Sequence, residues 1–199
     1  MRSYKLGGVL AEDMGLDKTV KQLKKNKKIY EQDGKKPFGL IVAPRSVIHN
    51  WCQEAASFTP EFSVMLHHGT GRAAGAEAFD SVDLIVTTYG TLMRDIELFS
   101  EMPFDYAILD ESHTFRNPAS KISKAVRKID ARNRLCLSGT PVQNSAQDLW
   151  AQFQFLNPGM LGSLKEFKSR WVKKTGLSDS AFKQAGETLQ RMLKPFVLR

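Results

Sequence analysis

The sequence predicts an α/β fold: a doubly wound parallel sheet with helices on both faces and a helical C-terminal extension. Three observations point to it. Six short apolar runs lie between Val9 and Leu137, separated by longer segments of helical period. The runs are continuous rather than alternating, as in strands buried on both faces. One of them, Ala107-Ile108-Leu109, runs into adjacent carboxylates, Asp110-Glu111, at the strand end where parallel sheets place ligands. With 199 residues, 42% of them hydrophobic, the chain can bury one sizeable core.

The first expected strand is Val9-Leu10-Ala11. Gly15-Leu16-Asp17-Lys18-Thr19 then opens a helix. That helix is unusual. Val20, Leu23 and Tyr30 share one side of a wheel turned about 100° per residue. Lys24 and Lys27 fall on or beside the same stripe, and Ile29 points away. Either the lysine stems snorkel to water, or the helix docks loosely or starts elsewhere.

The second strand, Leu40-Ile41-Val42, leads to a helix with Val47, Ile48, Trp51, Ala55 and Phe58 as its apolar stripe and Ser46 as its expected cap. Val64-Met65-Leu66 and Leu84-Ile85-Val86 are the third and fourth strands, and Ala107-Ile108-Leu109 the fifth. Asn117-Pro118 sets a capping residue before a first-turn proline. Ile122, Ala125, Val126 and Ile129 then follow at helical spacing. Leu135-Cys136-Leu137 is the sixth strand. Ser145 begins a helix with Leu149, Phe153 and Leu156 inward and Asn157-Pro158-Gly159 as its stop. Beyond Gly162 the pattern is helical up to Pro195. Residues 145–194 are therefore expected to be a mostly helical extension of a single domain.

Composition removes several function classes. No apolar run approaches the roughly 18 residues needed to span a membrane. Met1-Arg2-Ser3-Tyr4-Lys5 leads straight into Gly7-Gly8, which is not the pattern of a signal peptide. Cys52 and Cys136 have no Cys/His set nearby, which argues for a reducing setting and against structural zinc. The net charge of +8 is concentrated: Lys18 to Lys36 holds eight lysines against two acids, and the remainder is only +2. That run reads equally as a solvated helix face or as a contact to a phosphate backbone.

The chemistry-bearing residues form three groups. In a phosphate loop, backbone N–H groups at a helix N-terminus surround the phosphates, a lysine reaches the terminal ones, and a Ser/Thr hydroxyl joins the magnesium shell. Lys18 and Thr19 suit the last two roles, with Gly15, Leu16 and Asp17 forming the loop. Asp17 stands where the general motif has glycine. A carboxylate about 4 Å from a phosphate charge is opposed by roughly 4 kcal/mol at an effective dielectric of 20. In the absence of nucleotide the same carboxylate favours a helix N-terminus. Asp110 is placed to hold Mg²⁺ through water, and Glu111 to polarise the attacking water. Ser138-Gly139-Thr140-Pro141 follows the sixth strand and lies beside the acids if the fifth and sixth strands are neighbours. Its hydroxyls could then sense the terminal phosphate through His113.

Taken together, these residues resemble the first RecA-like lobe of the Swi/Snf-type helicase-like ATPases, DNA translocases that include chromatin remodellers. The resemblance extends from about Gly7 to Arg199. It rests on Gly8-Val9-Leu10-Ala11-Glu12-Asp13-Met14-Gly15-Leu16, Ile41-Val42-Ala43-Pro44-Arg45-Ser46 with Asn50-Trp51, His68-Gly69, and Thr87-Thr88-Tyr89. The acid pair with His113, Leu137-Ser138-Gly139-Thr140-Pro141-Val142-Gln143-Asn144, Asp148-Leu149-Trp150 and Pro195-Phe196-Val197-Leu198-Arg199 complete it.

The resemblance implies ATP and Mg²⁺ as cofactors and double-stranded DNA, held by its backbone without regard to sequence, as partner. It implies DNA contacts at Arg45, Ser46, Gly69, Thr88 and Tyr89. It also implies coupling between ATP and DNA through Ser138, Gly139, Thr140 and Gln143. In this family a segment upstream of Gly7 contacts adenine, and a second RecA-like lobe carries the arginine finger. Neither is expected within these residues, so the chain alone should hydrolyse ATP poorly. Two positions depart from the family pattern: Asp17 replaces a glycine, and residues 21–28 are lysine-rich where an apolar helix is usual. The alternatives are a non-catalytic DNA- or protein-binding module derived from such a lobe, or a helicase of the same superfamily. The compact motif spacing suggests a bacterial cytoplasmic, nucleoid-associated protein, with a nuclear one as the alternative.

Overall fold

The computed structural model describes residues 7–10, 38–72, 75–138, 146–171, 188–189 and 191–198. Seven strands form one sheet: β1 Gly8–Leu10, β2 Gly39–Ala43, β3 Val64–His67, β4 Leu84–Thr88, β5 Phe104–Leu109, β6 Ala131–Leu137 and β7 Val197–Leu198. Their order is β3-β4-β2-β5-β6-β1-β7, and every pairing is parallel. All six expected strands are present. The register Leu10↔Leu137 and Leu109↔Cys136 brings the C-terminal ends of β1, β5 and β6 together at one edge. The ends of β2, β3 and β4 continue that edge on the other side of β5.

Successive residues of each strand serve opposite faces. Leu40 and Val42 join one core with Ile85, Ala107 and Leu109, whereas Ile41 and Ala43 join the other with Val86 and Ile108. Burial on both sides is why the strands read as continuous apolar runs. The second face is covered by α1, Ile48–Phe58, through Ile48, Trp51 and Ala55. The first is covered by α2 Tyr89–Arg94, α3 Ile96–Ser100, α4 Lys121–Lys128, α5 Ala146–Leu156 and α6 Leu164–Trp171.

Two helix starts differ from expectation. Ser46 is exposed and does not cap α1: Val47 is the N-cap residue, with no side-chain cap bond. The Val47 amide instead donates to the Pro44 carbonyl at 3.0 Å, so a backbone turn leads into the helix. Helix α4 begins at Lys121, capped by Ser120, whose hydroxyl accepts the Ser123 amide at 3.1 Å. The Asn117 side chain accepts the Ala119 amide and closes a turn around Pro118. Ala125, Val126 and Ile129 face the core as expected.

Helix α5 ends at Leu156, and Gly159 takes the left-handed φ of 83° in the stop that follows. Asn157 bonds both the amide and the carbonyl of Gly7, at 3.0 and 3.2 Å, fastening α5 to the start of β1. A Cβ at Gly7 would lie 2.5 Å from the Leu156 carbonyl oxygen, so only glycine fits there. Helix α6 opens on a capping box. The Ser163 hydroxyl accepts the Glu166 amide, and the Glu166 carboxylate accepts the Ser163 amide. Strand β7 lies beyond the helical pattern that the sequence carries up to Pro195, and it pairs with β1.

Candidate functional site

Asp110 leaves β5 at the centre of the edge. Its amide donates to the Val42 carbonyl at 2.8 Å, which continues the β2–β5 ladder by one residue. Its carbonyl accepts the Tyr89 hydroxyl at 2.6 Å. One carboxylate oxygen takes the Trp51 indole N–H at 2.9 Å, and the other takes the Glu111 amide at 2.8 Å. Each oxygen therefore has one protein donor and one lone pair to spare. The side chain is part-exposed, so those lone pairs can reach solvent. Asp110 is thus aimed by three elements: β5, helix α1 through Trp51, and the start of α2 through Tyr89.

Glu111 is the one non-glycine residue with positive φ among the described residues, at φ 49° and ψ 56°. A left-handed glutamate is uncommon and costs on the order of 1 kcal/mol. Here it turns the chain sharply, so that the two carboxylates point differently. Asp110 points back toward α1, and Glu111 points out to pair with His113 Nδ1 at 3.1 Å. The Glu111 carbonyl accepts both the amide and the hydroxyl of Thr114, which locks the turn. Between the two polar side chains Ser112 is buried, and its hydroxyl meets Gln152 Nε2 on α5 at 3.0 Å. Burial pushes the Tyr89 phenol well above its ordinary value, with Cys136, Asp110 and Glu111 adding to the shift, so it remains a donor to Asp110.

Of the other predicted residues, Ser138 follows β6 directly and is buried, and β5 and β6 do pair, as the coupling expectation required. Gly139, Thr140 and Gln143 lie outside the described residues, as do Gly15, Leu16, Asp17, Lys18 and Thr19 and the lysine run. Strand β1, which precedes residues 15–19 in the chain, lies two strands from β5 in the sheet.

Further along the edge, Arg45 and Ser46 are exposed after β2, and Gly69, with φ 87°, is exposed after β3. Thr88 and Tyr89 differ: both side chains are buried. Thr88 caps α2 by accepting the Thr91 amide, and Tyr89 is committed to Asp110. Sequence reasoning missed the basic residues gathered at this corner. His68, Arg72 and Arg94 stand near Arg45 and His49, and together they act on the His68 imidazole. Their spacing has no period, and the loops after β2 and β3 and the helices α1 and α2 supply them.

A hard, oxygen-seeking ion such as Mg²⁺ takes one or two carboxylates and keeps waters or phosphate oxygens for the rest. Asp110, with its two spare lone pairs, fits that demand. Among the described residues no group of three or more His, Cys, Asp or Glu could cage a metal by itself. Nor is any described helix long and apolar enough to cross a membrane.

Comparison with known proteins finds relatives along the whole chain. The SNF2-related domain matches residues 1–199. The putative ATP-dependent helicase/translocase YwqA of Bacillus subtilis is 37% identical over all of this chain, which covers 22% of that protein. The TATA-binding protein-associated factor MOT1 of Saccharomyces cerevisiae is 34% identical over all of the chain, covering 12% of it. The chromatin-remodeling ATPase INO80 of Gibberella zeae is 36% identical over 98% of the chain, covering 11% of it. Among solved structures, the Sulfolobus solfataricus SWI2/SNF2 ATPase core in complex with dsDNA is 34% identical, with a TM-score of 0.79. The match covers 98% of this chain and 40% of that one. The chain therefore spans about a tenth to a fifth of the length of these curated relatives.

Proposed function

Because the chain belongs to the SNF2-related domain family over its whole length, we propose that it is the N-terminal ATP-binding lobe of a DNA-dependent ATPase and double-stranded DNA translocase. The observation that carries this reading is the placement of Asp110 and Glu111, held apart by a left-handed turn at the strand end adjoining β6. Asp110 would hold Mg²⁺ through water, with Thr19 joining the shell. Mg²⁺ there would neutralise charge developing on the transferred phosphoryl group. Lys18 would hold the terminal phosphates within the loop Gly15-Leu16-Asp17, and Glu111 would orient the attacking water. His113, held by Glu111, would face the terminal phosphate and pass its state to Ser138, Gly139, Thr140 and Gln143.

The reading includes two restrictions. Asp17 weakens ATP binding by opposing the phosphates, and turnover waits on a second RecA-like lobe that closes the cleft. Residues 145–194 remain part of the first lobe as its helical extension. The reading places the protein at the bacterial nucleoid, with the nucleus as the alternative, since its relatives include bacterial and fungal proteins. A non-catalytic module derived from the lobe is the competing reading.

Magnesium dependence separates the two. In an Asp17→Gly chain, ATP should bind more tightly with Mg²⁺ than with EDTA, and adding Asp110→Asn should remove most of that difference. Titration calorimetry measures it. If Asp17→Gly binds no nucleotide with or without Mg²⁺, the non-catalytic module is the better reading.

DNA contact would fall on the edge of Arg45, Ser46 and Gly69, with Thr88 and Tyr89 supporting it from beneath. His68 supplies a test. Burial, then the charges of Arg45, Arg94, His49 and Arg72, hold its imidazole below the ordinary histidine value. A phosphate seated among these cations offsets their repulsion and raises that value, so binding takes up a proton. Duplex affinity should therefore increase as pH falls from about 8 to about 5. His68→Gln should flatten part of that rise. An identical pH profile for wild type and His68→Gln would remove His68 from the contact.

A further inference from the structure

The loop after β3 is held from behind by a polar network that no part of the proposed ATP chemistry uses. His67, the last residue of β3, is 1% exposed, with its ring between those of Phe79 and Phe99 at 5.5 and 5.3 Å. Its Nε2 lies 2.9 Å from Asp95 Oδ2, and its Nδ1 is buried without a hydrogen-bond partner. The tautomer with hydrogen on Nε2 satisfies the first contact and leaves only a bare lone pair on Nδ1, the cheaper group to bury unpaired.

Asp95 sits between α2 and α3 and takes a second partner. Arg72 Nε and Nη2 reach its two oxygens as a fork, and Arg72 Nη1 donates to the Gly69 carbonyl at 2.7 Å. One guanidinium thus staples the loop to the helix pair. Gly69 needs its positive φ for that closure, and a Cβ there would meet nothing within 4 Å, so backbone conformation is the constraint and not space. The Arg72 hydrogen bond, with His67 adding to it, lowers the Asp95 carboxyl to about 2 against the opposing effect of burial. On the outer side of the same loop His68 contacts the Thr91 hydroxyl at 3.2 Å, beside Arg94.

An acid placed behind a cluster of Arg45, His49, His68, Arg72 and Arg94 works against phosphate binding by simple electrostatics. Its geometry works in the other direction. We propose that Asp95 is a positioning residue for the DNA backbone. Through Arg72 and His67 it holds residues 68–72 in the shape that presents His68 and Gly69 beside Arg45 and Arg94. The proposal rests on the reading of this edge as the DNA contact.

The two effects predict opposite signs, which makes Asp95→Asn the informative variant. Charge alone predicts tighter duplex binding, because a carboxylate is removed from a cationic corner. Positioning predicts weaker binding, by about tenfold, as the loop must be ordered anew on each encounter. The 199-residue chain is titrated with a short duplex at low salt, and amide exchange is followed at residues 68–72. The expected result is weaker binding together with faster exchange confined to that loop. Arg72→Lys keeps the charge but loses the fork. It should reproduce both changes, and it carries the test if Asp95→Asn does not fold. Equal or tighter binding by Asp95→Asn, or unchanged exchange in both variants, overturns the proposal. A wild-type chain that binds no duplex instead overturns the reading of the edge itself, a different result from a wild type that binds and an Asp95→Asn that binds as well.

Discussion

Trp51→Ala should destabilise the chain by about 3–5 kcal/mol, a large loss for a single substitution. Trp51 is fully buried on the face covered by α1, so truncation opens a cavity between the helix and the sheet. The same side chain also donates to Asp110, and Trp51→Phe isolates that second role. Phenylalanine fills most of the space but has no N–H, so Asp110 Oδ2 loses its protein donor. The loss should be smaller, about 1–3 kcal/mol, since Asp110 is part-exposed and water can take the vacated place. Urea melts of the wild type and both variants measure the stability terms. Mg·ATP titration in an Asp17→Gly background measures the site. The expected pattern is a modest stability loss in Trp51→Phe with a disproportionate loss of magnesium dependence. A Trp51→Phe chain that matches wild type in both would mean that the indole contributes packing only.

Asp17→Gly should tighten Mg·ATP binding by about a hundredfold, which is roughly 3 kcal/mol. On the proposed reading, a carboxylate beside Lys18 would oppose the incoming phosphates and compete for the lysine that should hold them. Glycine removes the charge and restores a backbone that can approach closely. The variant carries an internal control, because the two effects of Asp17 have opposite signs. An acid near a free helix N-terminus stabilises by about 0.3–1 kcal/mol, so the glycine variant should melt slightly earlier without nucleotide. With saturating Mg·ATP it should melt later than wild type, since ligand bound to the folded state stabilises it. Tight and equal binding by both chains would show that Asp17 does no damage.

Much of the architecture was legible because strands buried on both faces declare themselves as continuous apolar runs. Leu40-Ile41-Val42 and Leu84-Ile85-Val86 need no partner to be identified. The acid pair was legible for the same reason: Asp110-Glu111 follows such a run immediately. The Asn157-Pro158-Gly159 stop was legible through turn chemistry. The misses have separate causes. Ser46 and Asn117 are good capping residues that lost to nearby backbone turns and to Ser120, because several local hydrogen-bond solutions of similar energy compete. Strand β7 has two residues, too few for any period, and exists because β1 offers it an edge. The resemblance implies DNA contacts at Thr88 and Tyr89, and the fold turns both of these side chains inward, which no local pattern reveals.

The sequence by itself determined the class of fold, the strands, the acid pair and the family to which they belong. All of these are properties of a few consecutive residues: apolarity, chain reversal and the chemistry of a side chain. Only the tertiary structure decided how Asp110 is aimed, by an indole 59 positions away in the chain. Only it decided that Glu111 turns left-handed, and that Asp95 reaches back across 23 positions to hold Arg72. Such contacts depend on which strand lies beside which. That order, β3-β4-β2-β5-β6-β1-β7, follows from packing the whole chain at once, because each pairing gains its stability only after distant segments have been brought together.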